Sequence, residues 1–173
     1  MKKNKIKIKK FNKKKINKSE LKQVLEIATK LEEYLNRDDI NERIQKANAK
    51  GTHSKEVQDI VMEFAIPALG FVDEKEGLFK RYETTKLRPD FYKKIGKKGI
   101  LIEVEKGKTI TNNMDLLDIW KCHICKEANH LFLLVPIEVT HTKNIYNSVC
   151  KRMTSFFFKE NYLNIDSIIV FGY

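Results

Sequence analysis

Asp90, Glu103 and Glu105 are the residues whose types and spacing could do chemistry. They lie in "KLRPDFYKKIGKKGILIEVEKGKT", Lys86 to Thr109, where acids interrupt what otherwise reads as strand and turn. A carboxylate in an apolar setting is costly unless something compensates its charge. Successive strand residues point to opposite faces, so Glu103 and Glu105 share one face while Val104 and Lys106 share the other. With Gly96 to Gly99 as a four-residue hairpin loop, Asp90 is expected opposite Glu105 and Tyr92 opposite Glu103, with opposed Cβ atoms about 5 Å apart. A three-residue loop would put Asp90 on the wrong face. Three crowded carboxylates raise one another's pKa, and a divalent cation relieves that repulsion. Mg²⁺, or Mn²⁺ in its place, takes hard oxygen ligands: one or two carboxylates, waters and substrate phosphate oxygens. The expected substrate therefore bears phosphate.

The elements that must position these acids follow from the pattern. Asn17 with Glu20 three residues on resembles a capping box, and Leu21, Val24, Leu25, Ala28, Leu31 and Leu35 recur at helical spacing behind it. A more polar helix is expected over about 40–50, stopping at Gly51. A third starts at Ser54, carries Val57, Ile60, Val61 and Phe64, and is ended by Pro67. "LFKRYET", "LRPDFYKK" and "GILIEVEK" read as a three-stranded meander. Asn112 or Asn113 then caps a helix with Leu117, Trp120, Ile124 and Ala128 as its stripe. "HLFLLVP" is an apolar run typical of a strand covered on both faces. A helix over about 143–159 and the strand "SIIVFGY" close the chain. The order predicts an α/β fold: a mixed sheet with helices on both faces.

Pro89-Asp90 followed by Glu103-Val104-Glu105 resembles the PD-(D/E)XK nuclease superfamily, in the restriction-endonuclease branch where a second acid replaces the final lysine. The resemblance covers about residue 52 to the C-terminus and implies a restriction-endonuclease-like αβββαβ core over 52–173. Residues 19–51 are then an N-terminal helical extension, and 1–18 a basic flexible tail. It implies that Asp90 and Glu103 ligate the metal with the Val104 carbonyl, and that Glu105 orients or deprotonates the attacking water. Members often draw a supporting acid from the first core helix. Glu63 is the candidate, its other reading being a solvent-facing charge. Glutamate cannot neutralise the transition state as the family's lysine does. Lys106 lies on the opposite strand face, and is a supporting candidate through a twist or bulge at the strand end. Lys121 sits on the following helix, three residues after Asp118, and reads either as half of a surface ion pair or as a basic residue at the cleavage site.

The chain has 173 residues and a net charge of +11, of which ten lysines without an acid fall in the first 18 residues. From Ser19 onward 24 basic residues face 23 acidic ones, so the basicity belongs to the N-terminus. A block of this kind reads as a solvated arm able to hold an anionic polymer, or as the lysine bias of an AT-rich genome. Lys108, Lys97 and Lys98, with Lys106, flank the acids and read either as phosphate contacts or as solvated turn lysines. "GKT" at 107–109 is no phosphate loop, since that motif needs glycine where Ile102 stands. Cys122 and Cys125 lack the second ligand pair of a zinc site. No apolar run spans a membrane and the first residues lack the pattern of a secretory signal, so a cytoplasmic protein without disulfides is expected. The expected partner is DNA, and double-strand cutting would favour a homodimer. The function expected is a metal-dependent endodeoxyribonuclease of restriction or defence type. Its rivals are a structure-selective repair nuclease on the same fold and a non-catalytic nucleic-acid-binding module.

Overall fold

The computed structural model describes residues 5–49, 54–73, 77–79, 82, 87–106, 108–139 and 144–173. They form α/β architecture, with a six-stranded mixed sheet and five helices. In chain order these are β1 (Lys7–Asn12), α1 (Lys18–Leu35), α2 (Asp38–Ala47), α3 (Ser54–Ala65), β2 (Val72–Asp73) and β3 (Phe91–Ile95). There follow β4 (Lys98–Val104), α4 (Met114–Ile124), β5 (His130–Val135), α5 (Ile145–Phe156) and β6 (Ser167–Gly172). The sheet order is β1-β6-β5-β4-β3-β2. β4, β5 and β6 run parallel, joined by the crossover helices α4 and α5, while β2, β3 and β1 are antiparallel to their neighbours. Parallel neighbours need such crossovers because a tight turn cannot return the chain to the same end of the sheet.

Strand alternation divides the core into two layers. Ile100, Ile102, Val104, Phe132, Leu134, Ile169 and Phe171 pack under α1, α2 and α3. Leu101, Leu131, Leu133, Ile168 and Val170 pack under α4 and α5. Covering on both faces is why β5 and β6 read as unbroken apolar runs. Asn17 caps α1 as its sequence implies, its side chain accepting from the Ser19 and Glu20 amides at 3.0 and 3.2 Å. The two N-terminal helices share their core with α3, so the helical extension is continuous with one layer of the fold. Among the described residues no helix is long and apolar enough to cross a membrane.

Several expectations are corrected. The arm over 1–18 does not stay apart from the fold: Lys7–Asn12 pairs with β6 as an edge strand. Its Lys-Ile alternation suits that role, since Ile6 is buried against the first layer and lysines on an exposed edge discourage further pairing. The first strand of the antiparallel unit is Val72–Asp73 rather than "LFKRYET". In that stretch Leu78 and Phe79 lie in a turn with Phe79 buried, and 80, 81 and 83–86 lie outside the described residues. Gly51, expected to stop α2, lies outside them too, and α2 ends at Ala47. The hairpin loop is the two-residue Gly96-Lys97, with Gly96 at φ 53°, where glycine is unstrained. The register therefore slides by two: Tyr92 faces Leu101 and Phe91 faces Ile102. The observed pairing ends at Phe91 and Ile102, so Asp90 lies just outside the ladder and is not paired opposite Glu105.

Candidate active site

Asp90 immediately precedes β3, and Glu103 and Glu105 lie at the carboxyl end of β4. Backbone bonds hold this end in place. The Val104 amide donates to Asp90 Oδ2 at 2.7 Å, the Glu105 amide donates to the Leu134 carbonyl at 2.9 Å, and the Tyr173 hydroxyl donates to the Glu105 carbonyl. Gln58 of α3 donates to Asp90 Oδ1 at 3.1 Å, fixing the carboxylate from the helix side. Asp90 opens on a polar pocket of about 290 Å³ whose walls include Lys55, Gln58 and Arg88.

On the opposite face of the sheet, α4 turns Asp118 and Lys121 inward. Lys121 Nζ lies 2.6 Å from Glu103 Oε1 and 2.8 Å from Asp118 Oδ1, with side chains only 9% exposed for the lysine, 3% for Glu103 and none for Asp118. This orientation departs from the expected stripe of α4 at Leu117 and Trp120, while Ile124 and Ala128 pack inward as expected. Trp120 and Leu117 are exposed, while Asp118, Ile119, Lys121 and Cys122 are buried. The polar side faces in because β4 presents a carboxylate there in need of a cation. Lys121 is thus no surface pair.

Four carboxylates (Asp90, Glu103, Glu105 and Asp118) therefore crowd around one lysine. Burial pushes Asp90 up to about 6 against the pull of the Val104 amide. Burial, then the Asp118 charge, pushes Glu105 up to about 8, and Glu103 well above the usual range. Asp118 is raised by burial although Lys121 draws it down. Interaction between Glu105 and Asp118 raises the one and lowers the other. Burial alone would lower Lys121, but Glu103 and Asp118 outweigh it and the ammonium is held above its ordinary range. Fully ionised, the cluster would hold three more negative charges than positive ones. Uptake of protons or binding of a cation meets that deficit, and all-oxygen donors with excess negative charge suit a hard divalent ion. Among the described residues no three His, Cys, Asp or Glu side chains already form a ligand cage. An ion held partly by water and phosphate oxygens needs no such cage.

The remaining expected residues lie elsewhere. Glu63 forms a two-pronged pair with Arg43 at 2.5 and 2.8 Å between α3 and α2, and Gln58, two turns earlier than Ala65, is the α3 residue that reaches Asp90. Lys106 Nζ donates to the Ala47 carbonyl at 2.7 Å, at the end of α2. Lys97 and Lys98 sit at the hairpin turn, at the far end of β4 from the acids, where Lys98 Nζ reaches Asn164 Oδ1 at 3.4 Å. Lys108 is exposed just beyond β4. Cys122 and Cys125 are buried free thiols in the layer beneath α4. Sequence reasoning missed the inward role of Asp118, whose signal was its three-residue spacing from Lys121, and missed Gln58, which carried none. Compared with family models, with curated proteins and with solved structures, the chain matches none.

Proposed function

We propose that the chain is a metal-dependent endodeoxyribonuclease of PD-(D/E)XK type, hydrolysing DNA phosphodiester bonds. The observation that carries this reading is the crowd of carboxylates around Lys121, beside the polar pocket at Asp90 that Lys55 and Arg88 line together with Asp73. The succession α3, antiparallel β2-β3-β4, crossover α4 and parallel β5 supports it, being the αβββαβ order that the restriction-endonuclease-like resemblance implies. Asp90 and Glu103 would hold Mg²⁺, or Mn²⁺ in its place, with the Val104 carbonyl. Such an ion supplies Lewis acidity and lowers the pKa of bound water.

The chain's own residues divide the rest of the work. Gln58 and the Val104 amide fix the Asp90 carboxylate, and Lys55 and Arg88 line the pocket where a DNA phosphate would enter. Glu105 orients the attacking water and takes its proton. Raised to about 8, it becomes an effective base near neutral pH once positive charge beside it draws it down. Lys121 offers an ammonium on the site's buried side, in the role the family's motif lysine plays, and offsets charge growing on the phosphoryl oxygens.

The test is supercoiled plasmid incubated with the protein in Mg²⁺ or in chelator, beside Asp90→Ala. Cutting only with the cation, and reduced on the order of 100-fold or more in the variant, is expected. DNA shifted on a gel but uncut in every lane would favour the non-catalytic binding module. Cutting confined to branched or flapped substrates would favour the repair nuclease.

A further inference from the structure

We propose that a second groove, at the end of the sheet away from the carboxylates, binds single-stranded nucleic acid. It forms where the residues after β1 meet the carboxyl end of α5 and the segment that follows, and encloses about 520 Å³. Its walls include Lys13, Lys14, Lys159, Phe157, Phe158 and Tyr162, with no acid among the lining residues. The pairing fixes its place. Asn12 lies opposite Ser167, Ser167 opposite His130, and His130 opposite Ile100, whereas Glu103 lies opposite Leu133. By this register the groove is separated from Glu103 by three residues along β4 and by the width of β5 and β6.

Two features point to this ligand. The first is aromatic exposure: Tyr162 is 87% and Phe158 56% exposed, two of the few large apolar side chains that the described residues leave in solvent. Their setting is ordered. The Tyr162 ring meets His123 edge-on at 6.1 Å, Phe157 stacks on Phe11 at 6.1 Å, and Asn161 Nδ2 donates to the Ser155 carbonyl at 2.7 Å, fixing the turn that presents them. The second is charge. Lys14 and Lys159 are exposed on the rim, and Lys13 is held in position by Asp166 at 3.0 Å. Stacking rings beside ammonium groups in one concavity match alternating bases and phosphates, and every base has a face to stack. Duplex DNA presents its phosphates but hides those faces. The lysines of β1, including Lys9 over the Phe11 ring at 5.3 Å, continue the cationic surface towards the N-terminus. An anionic membrane would meet the same lysines, yet a concave wall favours a strand laid into it over a flat lipid surface.

The experiment is fluorescence anisotropy with the full chain in chelator, so that binding is read without cleavage and the groove is tested independently of the nuclease reading. The probes are labelled oligo-dT of about 12 nucleotides and a duplex of the same length. The oligo-dT is expected to bind more tightly, and Tyr162→Ala and Phe158→Ala each to weaken it about tenfold while barely changing duplex binding. Tyr162→Phe should keep wild-type affinity, and Lys14→Gln with Lys159→Gln should lower the salt slope by roughly one to two. Circular dichroism checks folding, which these exposed positions should leave intact. Equal affinity for the two probes, aromatic variants binding as wild type, or capture by phosphatidylserine vesicles with no oligo-dT binding would each overturn the proposal.

Discussion

Replacing Lys121 by Met puts the electrostatics of the carboxylate cluster to a quantitative test. Lys121 is the cation shared by Glu103 and Asp118, at 2.6 and 2.8 Å, and neither carboxylate has appreciable exposure to water that could solvate it instead. Breaking one side of such a buried pair costs about 3–5 kcal/mol. For a domain of this size that is a fall in Tm of roughly 6–20 °C. The loss must depend on pH. Without Lys121, both acids are raised further in the folded state, so stability is retained below their unfolded values and lost as pH rises through the folded ones. Thermal unfolding followed by circular dichroism should show a large deficit near pH 8 and a much smaller one near pH 5.5, where the carboxyls carry protons. A variant as stable as wild type at both values, or a deficit of the same size at both, would refute the reasoning.

Other outcomes follow from the same structure. In chelator the wild-type protein should itself lose stability as pH rises from about 4, first through Asp90 near about 6 and then through Glu105 near about 8. Urea midpoints across that range check it, and a flat profile would count against the raised values. Deleting residues 1–12 removes β1 and the buried Ile6 and uncovers the edge of β6, at a cost of about 2–4 kcal/mol measured by urea unfolding. A free arm would leave the midpoint unchanged. At Gly99→Ala the new Cβ would sit 2.4 Å from the Lys93 carbonyl oxygen and 2.5 Å from the Tyr92 ring, so the β3–β4 hairpin must shift and the midpoint fall by about 1–3 kcal/mol.

What the sequence made legible was whatever local chemistry decides. Asn17 announced α1 because its side chain can reach two free amides, and the apolar runs of β5 and β6 announced strands covered on both faces. The nearness of Asp90 to the end of β4 was legible in the hairpin, but its facing was not: Asp90 lies just before β3 and is held by the Val104 amide and by Gln58 on the α3 side, while Glu103 meets Lys121 on the α4 side. β1 escaped notice because its lysines dominate the composition, and its partner, β6, lies more than 150 residues along the chain. The inward face of α4 escaped because apolar spacing argues for Leu117 and Trp120. A cation demanded by Glu103, on another element, overrode that preference. Local rules fail most informatively where a site imposes its own requirements.

Isothermal titration of Mn²⁺ into wild-type protein and into Glu103→Gln, repeated in buffers of different ionisation enthalpy near pH 7, tests the central claim most directly. The account predicts saturable binding to wild type with release of protons from the raised carboxyls, and loss of both in the variant. Absence of saturable heat with wild type, or binding that Glu103→Gln leaves unchanged, would contradict it.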